Sequence, residues 1–208
     1  MNGKEIFDSH FAMCPLVGII RGVKPPEAAD IAQAVFDGGI RIVEVPLNSP
    51  EPFDSIRAIA DRLGNQALVG AGTVVELEDV ERVRQAGGRL VVAPNTDPRI
   101  IAATVAARMA SLPGFFTPSE AFTALGCGAS ALKLFPAEGA SPKVVKSLRA
   151  VLPKEVPLLI VGGVEPGGVG EWLEAGANGF GLGGGLYKPG QSPDETLRKS
   201  RAYAEAVR

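Results

Sequence analysis

The chain has few of the residues that build disulfide frameworks or metal centres. Its 208 residues include two cysteines, Cys14 and Cys127, and a single histidine, His10. Two isolated cysteines form neither a disulfide framework nor a thiolate ligand set, so we expect both to be reduced, buried thiols. We expect His10 to lie on a helix in the leading segment. A metal site with histidine ligands is poorly supported, although carboxylates alone could still bind a metal.

The chain also has no excess of charge of one sign and no long apolar run. There are 21 basic and 23 acidic residues, for a net charge of −2, which gives no electrostatic reason to expect a nucleic-acid partner. No uninterrupted apolar run reaches the roughly 18 residues that a membrane span needs. The first residues lack the apolar stretch of a secretory signal. We therefore expect a cytoplasmic protein with neither a nucleic-acid nor a membrane partner.

What the chain has in excess is glycine and proline, with 26 and 17 residues. Such contents approach those of disordered low-complexity chains. However, 46% of the residues are hydrophobic and only 21% are charged, which is enough apolar material for a buried core. The length suits a single domain over residues 1–208, with a leading helix over residues 1–14. The glycines and prolines are then expected to mark the ends of secondary-structure elements.

Short β-rich segments recur along the chain at a mean interval of about 23 residues, which suits one βα unit with short loops. The predicted strands cover residues 16–21, 40–45, 67–72, 89–93, 110–112, 131–135, 158–161 and 179–182. Amphipathic segments with helical periodicity lie between them. Eight βα units in uninterrupted order favour an α/β fold of the closed (β/α)8 TIM-barrel type over a doubly wound sheet.

Prolines stand at the start of most predicted helices, where the missing N–H costs nothing. They are Pro25 or Pro26, Pro50, Pro98, Pro118, Pro142, Pro166 and Pro193. Residues suited to capping a helix directly precede five of them: Ser49, Asp97, Thr117, Ser141 and Ser192. Two of these caps also have a glutamate at capping-box spacing, Glu120 after Thr117 and Glu195 after Ser192.

Two charged residues lie inside otherwise apolar predicted strands, Lys133 in the sixth and Glu44 in the second. Alternate barrel strands share an interior layer, so the two side chains are expected to face each other. Burial lowers the pKa of a lysine and makes its amine a nucleophile suited to Schiff-base formation, and a nearby carboxylate can act as general acid and base. The residues alone leave two alternatives open: a lysine that reaches solvent at the strand end, and a structural ion pair.

Glycine clusters follow the last two predicted strands, at residues 162–163 and 179–185. Loops at these positions are a frequent phosphate site of barrels, because their backbone N–H groups and a helix N-terminus bind the anion. Residues 179–184 also match G-x-G-x-x-G, but no later βαβ unit follows to complete a dinucleotide site. Tight turns without a ligand are the alternative.

Seven short motifs occur in order along nearly the whole chain. They are Arg21-Gly22, residues 44–50, residues 70–74, Pro94-Asn95, Pro113-Gly114, residues 133–136 and residues 161–164. Together they resemble the motifs of the 2-keto-3-deoxy-6-phosphogluconate and 2-keto-3-deoxy-6-phosphogalactonate aldolases. The resemblance implies a class I lyase on a (β/α)8 barrel that needs neither a metal nor a cofactor and assembles as a homotrimer.

The resemblance also assigns roles to individual residues. It implies that Lys133 forms the Schiff base and that Glu44 is the general acid and base. Implied substrate-binding residues are Arg21, Thr73, Pro94, Phe135, Val161, Gly162 and Gly163. Implied phosphate-binding residues are Gly162, Gly163, Gly183 and Gly184.

Within the family, two epimeric substrates are possible. The gluconate enzymes typically have Thr-Leu-Arg-Thr after the Glu-Val pair and a threonine before Gly-Gly, whereas this chain has Pro-Leu-Asn-Ser at residues 46–49 and Val161. These positions are similar to the galactonate branch, whose products are pyruvate and D-glyceraldehyde 3-phosphate. The alternatives are the gluconate epimer or dual specificity, a non-covalent phosphosugar isomerase or epimerase, and a non-catalytic sugar-phosphate-binding barrel. One departure is Gly184, where the branch usually has a serine that can donate to phosphate.

Overall fold

The computed structural model describes all residues, 1–208. Its parallel strands form a ring, and helices pack around the outside of this ring. The strands are β1 Leu16–Ile19, β2 Ile42–Pro46, β3 Leu68–Gly72, β4 Leu90–Val92, β5 Ala110–Leu112, β6 Gly114–Phe115, β7 Leu132–Leu134, β8 Leu158–Val161 and β9 Gly179–Leu182. Their order is β5-β4-β3-β2-β1-β9-β8-β7-β6. The predicted TIM barrel is confirmed, and each predicted strand has a counterpart.

The fifth barrel strand is divided into β5 and β6 at Pro113, which has no N–H to donate. On one side of this strand, the Ala93 N–H donates to the carbonyl of Leu112 (3.2 Å). On the other side, the Lys133 N–H donates to the carbonyl of Pro113 (3.1 Å). The two halves therefore close the ring between β4 and β7, and the barrel has eight strand positions.

The helices follow the strands in regular alternation, apart from a leading helix. They are α1 Gly3–Met13, α2 Pro25–Asp37, α3 Pro52–Leu63, α4 Leu77–Gln85, α5 Pro98–Ala106, α6 Pro118–Gly126, α7 Pro142–Arg149, α8 Val169–Glu174 and α9 Pro193–Ala206. Short 3₁₀ turns occupy Gly64–Gln66, Ala137–Gly139 and Pro166–Gly168. Five of the seven predicted proline starts are confirmed: Pro25, Pro98, Pro118, Pro142 and Pro193.

The capping predictions have mixed outcomes. Asp97 and Thr117 accept hydrogen bonds from backbone N–H groups of their helices, and Thr117 forms the complete capping box with Glu120. Ser192 accepts from the Glu195 N–H, but the Glu195 carboxylate pairs with Lys199 at 3.0 Å instead of closing the box. Ser141 occupies its cap position without a side-chain hydrogen bond.

Two predicted helix starts are wrong. The helix expected at Pro50 begins two residues later at Pro52, because Ser49 bonds to another loop and does not cap a helix. Pro166 opens a 3₁₀ turn, and the α-helix begins at Val169.

The apolar residues form two separate cores. The larger lies between the strands and the outer helices. The smaller fills the barrel interior and is built from alternate strand residues: Val17, Ile19, Ile42, Leu68, Leu90, Val92, Ala110, Leu112, Ala131, Leu159 and Val161. Ile6 and Phe7 of α1 join this interior cluster, and Gly3 lies directly against the Met109 carbonyl. Helix α1 therefore covers the N-terminal end of the barrel and leaves access from the C-terminal end.

The scarce residues are placed largely as expected. Cys14 and Cys127 are both free thiols, but only Cys14 is buried, because Cys127 lies at the partly exposed end of α6. His10 lies on α1 with Nδ1 2.9 Å from the Ile6 carbonyl oxygen. None of the helices has both the length and the apolar character needed to cross a membrane.

Candidate active site

Lys133 lies in the middle of β7, and its side chain belongs to the alternate set that faces the barrel interior. It is only 7% exposed, and its Nζ lies 4.5 Å from the centroid of the Phe135 ring. Burial lowers its pKa, since an ammonium group is poorly solvated there; the Glu44 carboxylate opposes this effect, and Arg21 adds to it. The lysine does not reach solvent at the strand end, so that alternative is wrong.

Glu44 lies in β2 and also faces the interior. It is 2% exposed, and its Oε2 is buried without a hydrogen-bond partner. Burial raises its pKa to about 7, against the opposing effect of the charges on Lys133 and Arg21. A carboxyl group that titrates near neutrality can both take and give a proton at physiological pH.

The space for the Glu44 carboxyl group exists because position 72 is a glycine. A Cβ atom on Gly72 would lie 1.9 Å from Glu44 Oε2 and 2.3 Å from its Cδ, well inside van der Waals contact. Gly72 has ordinary backbone angles, so neither a turn nor a positive φ requires the glycine. No separate role for Gly72 was predicted from the sequence; a glycine on the interior face at the C-terminal end of a barrel strand was the signal available.

Arg21 extends from the end of β1 and crosses the barrel mouth toward β2 and β3. One guanidinium nitrogen donates to Asn48 Oδ1, and another lies 3.5 Å from Thr73 Oγ1. Thr73 has a φ of 57°, which is unusual for a β-branched residue. Arg21 and Thr73, both predicted site residues, are therefore in contact, and Asn48 is an additional residue that orients Arg21.

The loop after β2 is tied to the loop after β1. The Gly22 N–H donates to the buried Ser49 Oγ at 2.9 Å. This bond replaces the predicted helix-capping role of Ser49. It places Asn48 beside Arg21, so the Pro-Leu-Asn-Ser motif shapes the barrel mouth.

A cavity of about 270 Å³ opens at the C-terminal end of the barrel, over β1, β7, β8 and β9. Most of the predicted binding residues line it: Arg21, Phe135, Val161, Gly162, Gly163, Gly183 and Gly184. The lining residues that were not predicted from the sequence are Ile19, Glu138, Val164, Glu165, Gly181 and Gly185.

Four predicted residues do not line this cavity. Lys133 and Glu44 lie in the barrel interior, and Phe135 links Lys133 to the cavity because its ring contacts the lysine Nζ. Thr73 reaches the site through Arg21. Pro94 lies after β4, where its carbonyl packs against Gly114 of the divided fifth strand.

This arrangement has a specific chemical capability. In its neutral form, which a lowered pKa favours, the Lys133 amine is a nucleophile toward a carbonyl carbon, and Glu44 supplies a carboxyl group that can exchange protons near pH 7. The cavity of about 270 Å³ at the C-terminal end of the same barrel carries one cation, Arg21. A buried amine of lowered pKa and a buried carboxyl group inside a (β/α)8 barrel are the two groups that Schiff-base aldolase chemistry requires.

Comparison with known proteins leads to the same class. Residues 7–195 match the family model for KDPG and KHG aldolase. The chain is 44% identical to the 2-dehydro-3-deoxy-6-phosphogalactonate aldolase of Escherichia coli (strain K12), over 93% of this chain and 95% of that protein. It is 31% identical to the KHG/KDPG aldolase of the same organism, over 83% and 80%.

Among solved structures, one described as "Native KDPGal structure" superimposes with a TM-score of 0.90, at 44% identity, covering 92% of this chain and 93% of that chain. The chain therefore belongs to the KDPG and KHG aldolase family, and it is an aldehyde-lyase.

The burial of Glu44 predicts a pH-dependent stability. The pKa of Glu44 is about 7 in the folded protein and near 4.5 when unfolded. The stability that its protonated carboxyl group contributes is therefore fully present below pH 4.5 and is lost as pH rises through 7. Glu44→Gln removes this ionisation. The unfolding free energy of the variant minus that of wild type should therefore rise by on the order of 3 kcal/mol from pH 5 to pH 8. Urea unfolding at both pH values measures it.

The matched control is Glu174→Gln, which removes an exposed carboxylate on α8. Its difference from wild type should change little between the two pH values. If the difference in unfolding free energy between Glu44→Gln and wild type also stayed constant between pH 5 and pH 8, the burial of an ionisable Glu44 would be contradicted.

A second prediction concerns the space at position 72. Gly72→Ala places a methyl group where the Glu44 carboxyl group lies, and so should displace that group and lower aldolase kcat by about 100-fold, the scale of general acid–base catalysis. Steady-state kinetics measure the loss. Gly126→Ala, at a glycine with no atom within 4 Å of the added Cβ, is the control. Because both act on the same group, Gly72→Ala and Glu44→Gln should combine non-additively; additive losses would refute the link.

Proposed function

We propose that this enzyme cleaves 2-dehydro-3-deoxy-6-phospho-D-galactonate to pyruvate and D-glyceraldehyde 3-phosphate through a Schiff base on Lys133. The observation that carries the proposal is the burial of the Lys133 amine and the Glu44 carboxyl group, whose charges act on each other, in a barrel whose C-terminal end holds a cavity of about 270 Å³. The family of the chain adds support, since its 44% identical relative carries the name of this activity.

In the first half of the reaction, the neutral Lys133 amine attacks the ketone carbon, C2, of the substrate. Loss of water gives an iminium ion, whose positive charge draws electrons from the neighbouring carbon. The lowered pKa of Lys133 favours the neutral amine that this attack requires. Glu44 is placed to move the protons that the carbinolamine must gain and lose as it forms and collapses.

In the second half, the bond between C3 and C4 breaks. The hydroxyl on C4 loses its proton to Glu44, directly or through a water molecule, and C4 becomes the aldehyde of glyceraldehyde 3-phosphate. The electron pair of the broken bond neutralises the iminium ion and leaves an enamine on Lys133. Protonation of the enamine at C3, followed by hydrolysis, releases pyruvate and regenerates the amine.

Arg21 and the glycine loops position the two ends of the substrate. The Arg21 guanidinium, held by Asn48 and Thr73, would pair with the carboxylate or a neighbouring hydroxyl group. Backbone N–H groups at residues 162–163 and 183–184 would bind the phosphate. Val161, Phe135 and Pro94 complete the proposed substrate site, and Gly184 leaves the phosphate to backbone donors alone.

The galactonate epimer is supported by residues at the barrel mouth. Asn48 contacts Arg21, and Val161 lines the cavity, where the gluconate enzymes have an arginine and a threonine. The higher identity to the 2-dehydro-3-deoxy-6-phosphogalactonate aldolase, 44% against 31% for the KHG/KDPG aldolase, favours the same epimer. We also propose that the enzyme is a cytoplasmic homotrimer, as the family resemblance implies.

The covalent mechanism predicts a trapped adduct. Incubation with pyruvate followed by borohydride reduction should add the reduced pyruvate group to Lys133, because only the imine is reduced to a stable amine linkage. Peptide mass spectrometry locates the adduct. Lys133→Ala should abolish both adduct and cleavage, whereas Glu44→Gln should slow cleavage by about 100-fold or more while still permitting some adduct.

Lys143→Ala, which removes an exposed lysine on α7, is the matched control and should form the adduct at the wild-type level. Cleavage without any adduct on Lys133 would sink the Schiff-base mechanism. It would favour the non-covalent isomerase or epimerase chemistry with Glu44 as base.

The choice of epimer is tested by comparing kcat/KM for the two C4-epimeric substrates. We expect at least about tenfold preference for the galactonate epimer, because a misplaced hydroxyl leaves polar groups unpaired. Val161→Thr, nearly isosteric and placed in the cavity wall, should shift this ratio toward the gluconate epimer, whereas Val151→Thr at an exposed position should not. A wild-type preference for the gluconate epimer would refute the assignment.

A further inference from the structure

The wall of the cavity formed by the glycine loops carries an acidic side chain that the proposed mechanism does not use. Glu138 lies in the 3₁₀ turn Ala137–Gly139, shortly after Lys133 and Phe135 in the chain. A Cβ atom on Gly162 would meet Glu138 Oε2 at 2.1 Å and Cδ at 2.8 Å, and one on Gly163 would meet Glu138 Cγ at 3.0 Å. The Glu138 carboxylate therefore lies directly over the Gly162–Gly163 backbone.

A second carboxylate lines the same cavity near the loop after β9. Glu165 lines it, with Oε2 3.5 Å from the hydroxyl of the buried Tyr203 and Oε1 3.5 Å from the position a Cβ on Gly185 would occupy. The two glycine loops that bind phosphate in the proposed function are thus each accompanied by a glutamate.

The positive charge available to offset these carboxylates is small and lies to one side. Arg21 is the one cation in the cavity wall, and its hydrogen bonds to Asn48 and Thr73 hold it toward β2 and β3. The Glu138 side chain is exposed on the cavity wall and takes part in no salt bridge, so water screens its charge but no other residue neutralises it.

We propose that Glu138 is a specificity-determining residue that weakens binding of the phosphate dianion. Its charge therefore reduces the preference of the enzyme for phosphorylated over unphosphorylated 2-keto-3-deoxy sugar acids, a preference that the glycine loops without Glu138 would make larger. The proposal rests on the proposed function, because it concerns the phosphate end of that substrate. A dianion at Gly162 and Gly163 meets the carboxylate charge and must push the side chain aside. An uncharged terminal hydroxyl can instead donate a hydrogen bond to it.

The measured quantity is the ratio of kcat/KM for the 6-phosphorylated substrate to that for the same sugar acid without phosphate. Glu138→Gln keeps the shape of the side chain and removes its charge. We expect it to raise kcat/KM for the phosphorylated substrate by about tenfold, the scale of one partly screened charge pair, and to change the value for the unphosphorylated substrate by less than about threefold.

Two comparisons separate charge from shape. Glu138→Ala removes both the charge and the bulk of the side chain. If kcat/KM for the phosphorylated substrate rose in Glu138→Ala but not in Glu138→Gln, bulk and not charge would limit phosphate binding, and the proposal would be overturned. Raising the salt concentration should narrow the difference between wild type and Glu138→Gln, because screening weakens the repulsion. Glu174→Gln, which removes an exposed carboxylate on α8, is the control and should leave the ratio unchanged.

The outcomes also separate this proposal from the proposed function. The pyruvate adduct on Lys133 involves only the keto-acid end of the substrate and should form in every Glu138 variant. If wild type forms no adduct, the Schiff-base function itself fails. If the adduct forms but Glu138→Gln leaves the ratio unchanged, or lowers it, Glu138 does not oppose phosphate and only this inference is overturned.

Discussion

The site depends on burying one amine and one carboxyl group in the interior of the barrel. Lys133 and Glu44 are the only charged residues among the buried polar groups, and desolvation moves both of their pKa values toward neutrality. Their opposite charges limit that shift, since each stabilises the ionised form of the other. The remaining interior residues are apolar, which keeps the medium around the pair poorly solvating.

Glycines provide the room that this chemistry needs. Gly72 leaves space for the Glu44 carboxyl group within the barrel, and Gly162 and Gly163 let the chain pass beneath the cavity with positive φ angles of 120° and 64°. At the other end of the barrel, Gly3 allows α1 to approach the strands closely enough to cover the N-terminal opening. The high glycine content is thus partly a matter of close approach inside the barrel and partly one of chain reversal.

Much of the fold was predictable from local patterns, and the errors have identifiable physical causes. Pro98, Pro118 and Pro193 mark helix starts because a proline at the first helical position and a polar cap before it act within a few residues. Ser49 has the same local pattern before Pro50, but its hydroxyl accepts from Gly22, which is distant in the chain. That long-range bond, which no local pattern encodes, moves the helix start to Pro52.

The sequence by itself determined the eight-unit barrel and marked Lys133 and Glu44 as charged residues inside apolar strands, because strand periodicity and a charge inside an apolar strand are both local signals. Tertiary structure alone decided how these residues are surrounded. Three contacts join different βα units: Gly72 lies against Glu44, Asn48 accepts a hydrogen bond from Arg21, and Glu138 lies over Gly162. Such contacts depend on how far the strands are staggered as the barrel closes, which is a property of the whole ring.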